Sequence, residues 1–276
     1  MNQCKKPPVA VSCAELARQV RENGFCILPD VIPTDEIDRV QRSVLKTAEQ
    51  FGQHSSFAPS KTISMVGLVN HDQSFVDYLI DKRLTELVTT LLNEHYRVSF
   101  TTGLVNYPGN ERGQWHADWP FIQTLGARIP APYPDAVIHL TCVFPLTEFT
   151  AETGATLLLP GSHRRPRNPT GEIGVERRAP QEDEVQAIIA AGSVLVIDSR
   201  CWHATAANRS DKPRVAFAVR FAPWWLNLEV LRPNSFLRQR MVGQRNQPDD
   251  PIPPMARPVY DRLPDQVKPL FQHGIE

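Results

Sequence analysis

The sequence has no excess of charge of either sign and no long apolar run. Its 276 residues contain 30 Lys and Arg against 30 Asp and Glu, so the formal net charge is zero. A protein that binds nucleic acid uses a basic excess to pair with phosphates, and a helix that spans a bilayer needs roughly 20 consecutive apolar residues. We therefore expect neither a nucleic-acid partner nor a membrane-spanning segment.

Cysteine is also scarce, and its spacing does not suggest a disulfide framework. The five cysteines are scattered, with no Cys-x-x-Cys pair, a usage that fits a reducing compartment. The lysines near the N-terminus are not followed by the continuous apolar run of a secretory signal. These observations predict a cytoplasmic protein.

The first 93 residues contain several helix signals, with short strands predicted at residues 25–28 and around Lys61. Ser12 to Glu15 has the spacing of a capping box, which predicts a helix that begins there and ends at Gly24. Thr34 is predicted to cap a second helix. The apolar stripe of this second helix consists of Ile37, Val40, Val44, Leu45, Ala48 and Phe51. Residues 74–93 are predicted to form one or two more helices.

From residue 98 onwards, short β-branched and aromatic runs alternate with turns. The runs are 98–107, 136–144, 155–159, 193–198 and 214–221. Such spacing is typical of an antiparallel sandwich or barrel, here behind a helical N-terminal layer. A short helix near residues 182–190 is predicted to interrupt the strands.

The length is enough for one large hydrophobic core, so we predict a single domain over residues 1–276, with its core at about 15–225. Nine prolines fall between Pro223 and the C-terminus. Proline is disfavoured inside helices and central strands, so residues 226–276 are predicted to form an extended tail that packs on the core. Three aromatic residues are expected to help anchor it: Trp224, Trp225 and Phe236.

The segment from Gly113 to Trp119 carries the most informative pattern. One residue separates His116 from Asp118, so on a strand both side chains point to the same face. A second histidine, His203, follows the apolar run 193–198. Two histidines and one carboxylate form the facial triad of non-haem Fe(II) oxygenases, which leaves coordination positions open.

Arg214 lies eleven residues after His203 and begins the run 214–221. Residues 208–212 are typical of a turn, so we expect the two flanking strands to form a hairpin. The hairpin would bring the guanidinium to the same mouth of the barrel as the metal. Because arginine grips carboxylates in a bidentate manner, Arg214 predicts a carboxylate-bearing co-substrate.

Taken in order, these motifs resemble those of the phytanoyl-CoA dioxygenase family of Fe(II)/2-oxoglutarate-dependent oxygenases. His-x-Asp is followed by Gly-Ala-Thr and Pro-Gly-Ser-His within residues 152–163, then by a histidine with an arginine eleven residues later. The resemblance covers roughly residues 15–225. It implies a mainly β fold with a helical layer, namely a double-stranded β-helix (jelly roll, cupin-like) with N-terminal helices, in agreement with the strand pattern.

The resemblance also implies roles for individual residues. It makes His116, Asp118 and His203 the Fe(II) ligands and pairs Arg214 with the distal carboxylate of 2-oxoglutarate. Three further residues match positions that contact the co-substrate in family members: Gln114, Thr156 and Lys61. With O2, the implied reaction is oxidation, most simply hydroxylation, of an unactivated C–H bond of a small molecule, with release of succinate and CO2. Halogenating members have Ala or Gly in place of Asp118, so halogenation is disfavoured.

Several neighbouring residues have two interpretations. Trp119 and Phe121 either wall a substrate pocket or simply pack in the core. The arginine-rich segment 164–178 is either a lid that recognises an anionic group or a solvated loop. His139 competes as a ligand, but its place inside an apolar run favours a core histidine. Cys201 has no base arranged to activate its thiol.

Substrate and oligomeric state stay open, as do two other functions. Acyl-CoA or fatty acids, amino acids and secondary metabolites all fit, and the Gln-x-His pattern and the proline-rich tail favour secondary metabolites. A cupin-type isomerase or lyase would hold Zn or Ni, but it would leave Arg214 without a role. A catalytically silent relative would bind 2-oxoglutarate without turnover. The chain is expected to be a monomer or a homodimer.

Overall fold

The computed structural model describes residues 11–54, 61–121, 135–169, 175–241 and 252–276. Its α-helices are α1 (Cys13–Asn23), α2 (Thr34–Phe51), α3 (Lys82–Leu92), α4 (Phe236–Met241), α5 (Arg257–Asp261) and α6 (Lys268–Phe271). Its strands are β1 (Phe25–Leu28), β2 (Gln53–His54), β3 (Thr62–Val66), β4 (Arg97–Asn106), β5 (Leu140–Pro145), β6 (Leu157–Leu158), β7 (Val185–Gln186), β8 (Val194–Asp198), β9 (His203–Ala204) and β10 (Arg214–Ala222).

Local sequence signals account for the ends of the first two helices. The Ser12 side chain accepts a hydrogen bond from the N–H of Glu15, and Gly24 ends α1 with a left-handed φ of 90°, as the capping pattern predicts. Helix α2 begins directly after Pro33, which supplies no side-chain cap. The prediction that Thr34 is the N-cap is therefore wrong by one residue, because Thr34 already has helical geometry.

The apolar stripe of α2 holds over most of its length but not at its end. Five predicted residues are buried or half-buried against the sheet: Ile37, Val40, Val44, Leu45 and Ala48. Phe51 is instead 46% exposed. As the last residue of the helix, it stacks on the ring of His71, with 4.3 Å between ring centroids.

Residues 74–93 form two helices, one of the two predicted arrangements. A 3-10 helix over Val76–Ile80 precedes α3. Asp81 separates them, and its carboxylate accepts hydrogen bonds from two N–H groups in the first turn of α3. This N-cap satisfies donors that have no partner inside the helix.

Two antiparallel sheets form the body of the protein. The large sheet has the strand order β1-β8-β5-β10-β4-β3-β2, and the small sheet has the order β7-β6-β9. At the centre of the large sheet, Ala218 of β10 pairs with Val143 of β5 and Thr102 of β4. An apolar layer that includes Leu158 of the small sheet and Ala216 of the large one lies between the sheets. The predicted double-stranded β-helix with N-terminal helices is confirmed.

The alternation of side chains along β10 explains the layers. Ala216 and Ala218 belong to the apolar layer between the sheets, and Arg214 and Arg220 fall on the same face. The intervening residues are fully buried in the core that the helices cover: Val215, Phe217 and Val219. Each large apolar side chain removed from water contributes roughly 1.5–3 kcal/mol, so this core holds the helices on the large sheet.

Two predictions about the strands are wrong. Residues 182–190 form no helix, because the backbone pairs with its neighbours instead: β7 pairs with β6, and Ile189 forms an isolated bridge with Phe149. Strands β9 and β10 do not form a hairpin. Strand β9 pairs with β6 in the small sheet, whereas β10 pairs with β4 and β5 in the large one. The predicted turn at 208–212 thus joins the two sheets.

The tail packs on the core, but through residues other than those predicted. Its buried apolar residues include Met255, Leu263, Val267, Leu270 and Phe271. The three aromatic residues predicted to anchor it are 54–72% exposed: Trp224, Trp225 and Phe236. The anchor lies instead in the short helices near the C-terminus, where α6 contacts β4. In the part of the chain that the structure describes, no helix is long and apolar enough to cross a membrane.

Candidate metal centre

Backbone pairing brings the three predicted ligands together. His116 and His203 face each other in an isolated antiparallel bridge, in which each N–H donates to the carbonyl of the other at 3.0 and 2.9 Å. The N–H of Asp118 donates to the carbonyl of Ser199 at 2.7 Å. One nitrogen of each imidazole and one oxygen of Asp118 lie within 4.8 Å of one another. The structure thus forms the cluster that the sequence pattern predicts.

The two imidazoles are oriented by backbone carbonyls. Nδ1 of His116 donates to the carbonyl of Gln114 at 3.0 Å, and Nδ1 of His203 donates to the carbonyl of Cys201 at 2.9 Å. The lone pairs therefore lie on the Nε2 atoms, which are 4.0 Å and 3.4 Å from the Asp118 carboxylate. Metal-binding histidines are held in this way, with the second nitrogen bonded to an acceptor.

The charges at the site suit a divalent cation. Burial alone would raise the pKa of Asp118, but Arg220 and the two imidazoles outweigh it and hold that pKa well below its ordinary range. Burial and the neighbouring His203 lower the pKa of His116. At neutral pH the cluster therefore presents an ionised carboxylate and a neutral imidazole at His116, the protonation states that metal binding requires.

Two side chains that the sequence analysis did not single out hold the carboxylate of Asp118. Nη2 of Arg220 donates to Oδ1 at 2.6 Å, and the hydroxyl of Thr141 donates to Oδ2 at 2.7 Å. The guanidinium of Arg220 stacks on Phe100 at 4.3 Å from the ring centroid. The alternation of the run 214–221 is a signal that points to Arg220, because it shares a face with Arg214.

Arg214 lies at the other end of the same strand and is buried. Its Nη1 donates to the carbonyl of Gly154 at 2.6 Å, and its guanidinium lies 4.3 Å from the ring centroid of Phe149. Its Nε is buried with no hydrogen-bond partner, and no carboxylate among the described residues pairs with it. Burial lowers the pKa of Arg214 to about 10, so the side chain remains cationic at neutral pH.

The other predicted co-substrate residues differ in their surroundings. Thr156 is buried two residues after Gly154, the carbonyl partner of Arg214. Gln114 is half-buried, and its carbonyl accepts the hydrogen bond from His116. Lys61 is exposed and lies beside Gly109 in the loop after β4. Thr156 and Gln114 therefore lie next to residues of the site by chain position, whereas Lys61 contacts no triad residue within the described ranges.

The two aromatic residues that follow Asp118 lie at the edge of the site. Trp119 is half-buried, and its N–H donates to the carbonyl of Ser199 at 3.0 Å. The half-buried ring of Phe121 lies edge-on to His139, 5.1 Å between centroids. Phe121 also packs on an apolar cluster of the tail: Val230, Leu231, Leu237 and Met241. The tail therefore reaches the neighbourhood of the metal centre.

Part of the arginine-rich segment 164–178 covers the outer face of the small sheet. The guanidinium of Arg165 stacks on Trp202 at 4.6 Å, and the carbonyl of Arg177 accepts the N–H of Trp115 at 2.7 Å. Trp115 and Trp202 are fully buried. The prediction that the segment is a lid involves residues 170–174, which lie outside the described part of the chain.

His139 and Cys201 lie outside the metal cluster, as expected from the sequence. His139 is outside the triad and is buried, with both ring nitrogens hydrogen-bonded to serine hydroxyls at 2.7 Å. Burial raises the pKa of the Cys201 thiol to about 12, so the thiol is protonated and not a nucleophile. The chemistry of the site therefore depends on the triad and the two arginines.

A cavity of about 530 Å³ lies between β4 and the C-terminal segment. Its walls include Ser99 and Phe100 of β4 together with Leu228, Met255 and Phe271 of the tail. No triad residue lines it, so this cavity is separate from the metal centre. It approaches the centre through Phe100, whose ring lies against the guanidinium of Arg220, and through Ser99, whose hydroxyl bonds His139.

Comparison with known proteins agrees with this geometry. The sequence profile of the phytanoyl-CoA dioxygenase family matches residues 20–216. The dioxygenase trt7 of Aspergillus terreus is 25% identical over 257 residues, which cover 85% of this chain and 85% of the relative. The family match contains His116, Asp118, His203 and Arg214.

Two solved structures have a similar fold. The non-haem alpha-ketoglutarate-dependent epimerase SnoN from nogalamycin biosynthesis matches with a TM-score of 0.62 and 19% identity, over 76% of this chain and 83% of that one. The carbocyclase SnoK, from the same biosynthesis and also alpha-ketoglutarate-dependent, matches with a TM-score of 0.61 and 19% identity, over 78% and 87%. At this identity the likeness concerns the jelly-roll fold.

Proposed function

Because the chain belongs to the phytanoyl-CoA dioxygenase family, we propose that it is a non-haem Fe(II)/2-oxoglutarate-dependent oxygenase acting on a small molecule. The proposed reaction is hydroxylation of an unactivated C–H bond, with consumption of O2 and release of succinate and CO2. The observation that carries the proposal is that the triad occurs together with Arg214, a buried cation to which no described side chain offers a carboxylate.

The residues present fit an iron ion. His116, Asp118 and His203 would hold it, since two imidazole nitrogens and one carboxylate are the donor set of this class of iron site. Bound iron and 2-oxoglutarate together would supply the activation of O2 and the oxidising equivalents. The chain contributes the orientation of the ligands, through the carbonyls of Gln114 and Cys201 and through the partners of Asp118.

Arg214 fits the distal carboxylate of the co-substrate. A buried charge without a counter-charge is costly, and a carboxylate paired with the guanidinium would remove that cost. The unpartnered Nε and one bonded Nη leave donors for such a pair. We propose Thr156 and Gln114 as further contacts. The proposed contact with Lys61 depends on the resemblance alone.

The substrate is proposed to approach beside Trp119 and Phe121. Both side chains are half-buried, and Phe121 adds the apolar cluster of the tail to that side of the site. An apolar wall with few polar groups is typical of sites for small molecules. We propose a secondary metabolite as substrate, and the nogalamycin-pathway enzymes with a similar fold are consistent with this class.

Other outcomes and properties remain predictions. SnoN is described as an epimerase and SnoK as a carbocyclase, so this fold is compatible with reactions other than hydroxylation. Among the alternatives, a Zn or Ni isomerase or lyase gives no role to Arg214, and a silent relative would bind 2-oxoglutarate without releasing succinate. Cytoplasmic location, a monomer or homodimer, and absence of a nucleic-acid partner are expectations from the sequence.

An anaerobic titration tests the proposal. Fe(II) and then 2-oxoglutarate are added to metal-free protein, and the weak visible charge-transfer band of a chelated 2-oxo acid is recorded. We expect the band in the wild-type protein and its loss in His203→Ala. A folded wild-type protein that gives no band but binds Zn or Ni would contradict the proposal and favour the isomerase or lyase.

A further inference from the structure

A chain of buried hydrogen bonds connects His139 to the metal centre. Nδ1 of His139 lies 2.7 Å from the hydroxyl of Ser199, and that hydroxyl lies 2.9 Å from the hydroxyl of Thr141. Thr141 in turn bonds Oδ2 of Asp118 at 2.7 Å. On the far side, Nε2 of His139 lies 2.7 Å from the hydroxyl of Ser99. All five residues are less than 9% exposed.

The number of protons fixes the direction of every bond in this chain. An ionised carboxylate only accepts, so the single hydroxyl proton of Thr141 is donated to Asp118. Thr141 must then accept from Ser199, and Ser199 must accept from Nδ1–H of His139. This places a proton on Nδ1 of His139, and in a neutral ring Nε2 accepts from Ser99, whose hydroxyl also lies within reach of the carbonyl of Arg220. The hydroxyls of Ser199 and Thr141 therefore each donate toward Asp118.

The electrostatic surroundings keep His139 neutral, as this tautomer requires. Burial and then the guanidinium of Arg220 lower the pKa of His139 to about 3, although Asp118 acts in the opposite direction. The Ser99 hydroxyl also lies 3.2 Å from the carbonyl of Arg220. The chain of hydrogen bonds thus starts beside Arg220, the residue that holds Oδ1 of Asp118.

Ser199 connects to Asp118 by its backbone as well as by its side chain. Its carbonyl accepts the N–H groups of Asp118 at 2.7 Å and of Trp119 at 3.0 Å, and its own N–H donates to the carbonyl of His139 at 3.0 Å. A residue that anchors both the backbone and the carboxylate partner of Asp118 limits the rotation of that carboxylate. His139 holds Ser199 from both its backbone and its ring.

We propose that His139 is a positioning residue of the metal centre, which acts through Ser199 and Thr141 to fix the orientation of the Asp118 carboxylate. The inference rests on the proposed function, since it takes Asp118 as a metal ligand. Arg220 fixes Oδ1 and the chain from His139 fixes Oδ2, so the two oxygens are held independently. Loss of such an outer partner lowers metal affinity by about 10–100-fold.

Three substitutions of His139 separate positioning from simple packing. The amide nitrogen of Asn occupies the place of Nδ1, whereas that of Gln occupies the place of Nε2. His139→Asn therefore keeps a donor for Ser199, whereas His139→Gln and His139→Leu lose it. The measured quantity is the affinity of the metal-free protein for Co(II). The titration is monitored through the visible absorption of the bound Co(II), in the absence of 2-oxoglutarate. We expect Leu and Gln to weaken binding by about 10–100-fold and Asn to restore most of it.

A double substitution tests whether His139 acts through Thr141. Thr141→Val removes the last donor of the chain, so His139→Leu should weaken Co(II) binding little further in that background. Additive losses, or equal affinities of the Asn and Gln variants, would overturn the proposal. If His139→Leu does not fold, the comparison of Asn with Gln decides. A wild-type protein that binds no Co(II) would contradict the proposed function itself, whereas normal binding by His139→Gln contradicts only the role of His139.

Discussion

The two ends of strand β10 place the same side chain in different surroundings. Arg214 and Arg220 share the face toward the small sheet, and each guanidinium lies 4.3 Å from the ring centroid of a phenylalanine. Arg220 donates to the Asp118 carboxylate at 2.6 Å. Among the described residues, Arg214 donates to a backbone carbonyl and to no carboxylate, whereas the Nε atoms of both arginines have no partner. The difference supports our proposal that Arg214 binds a carboxylate from outside the protein, while Arg220 binds the protein's own carboxylate.

Burial strengthens this difference. Arg214 is buried, whereas Arg220 is half-buried. Arg214, the cation without a counter-charge, is therefore the more buried of the two, and its loss of hydration costs more. A purely structural role would favour the opposite arrangement, and this is why we propose that Arg214 binds an anion.

The largest expected effect is on the affinity for 2-oxoglutarate. Truncation of one partner in a buried charged hydrogen bond costs about 2–5 kcal/mol, so Arg214→Gln should raise the dissociation constant by about 30-fold to several thousandfold. Calorimetry on Mn(II)-loaded protein measures it. Arg220→Gln is the control and should change the constant much less. A larger loss in the Arg220 variant would exchange the roles of the two arginines.

Substitution of the two arginines of β10 should have different effects on the free energy of unfolding of the metal-free protein. Arg220→Met leaves the buried Asp118 carboxylate without its cationic partner and should lower the free energy of unfolding by about 2 kcal/mol. This is less than the cost of breaking a fully buried ion pair, because Arg220 is partly exposed. Arg214→Met removes a buried charge that has no counter-charge and should leave stability unchanged or increase it. Urea unfolding with a chelator present measures both. Destabilisation by Arg214→Met as large as that by Arg220→Met would contradict an unpaired charge at Arg214, because loss of the bond to the Gly154 carbonyl alone costs less.

The Arg220 end should also carry a pH-dependent contribution to stability. The pKa of His139 is lowered to about 3, against an ordinary value near 6.5. As pH falls from about 6.5 toward 3, the unfolded chain binds a proton that the folded protein does not, so stability decreases by up to about 1.4 kcal/mol per pH unit. His139→Asn should show a shallower slope by that amount in urea unfolding between pH 7 and pH 4. Parallel slopes would mean that His139 titrates normally.

The smallest expected effect concerns Thr156 at the Arg214 end. A neutral hydrogen bond contributes about 0.5–1.5 kcal/mol, so Thr156→Val should raise the 2-oxoglutarate dissociation constant by roughly 2–10-fold. Lys61→Ala serves as the control, because Lys61 is exposed beside Gly109. An effect of Lys61→Ala larger than that of Thr156→Val would place the co-substrate toward Lys61.

Sequence patterns predict the parts of this protein that depend on local rules. The capping box at Ser12 and the strand periodicity around β10 appear in the fold as expected. The His-x-Asp spacing places two side chains of the triad together, whereas His203 is identified by the order of the motifs along the chain and not by its immediate neighbours. The other features depend on neighbours in sequence, so one chain is enough to predict them.

Features that depend on pairing between distant segments are not predicted. The pairing of β7 with β6 replaces the expected helix, and the passage from β9 to β10 between sheets replaces the expected hairpin. Arg220 has no partner nearby in sequence, since Asp118 lies 102 positions away. The hydrogen bonds of His139 are not predicted either, because its serine partners lie 40 and 60 positions away.

The most direct measurement is a crystal structure of the protein with Mn(II) and 2-oxoglutarate. We predict the metal between His116, Asp118 and His203, with the distal carboxylate of 2-oxoglutarate within hydrogen-bond distance of Arg214 while Arg220 stays on Asp118. A distal carboxylate bound to Arg220 or Lys61, with Arg214 still without a carboxylate, would contradict the assignment of the two arginines. A metal bound without Asp118 would contradict the site itself.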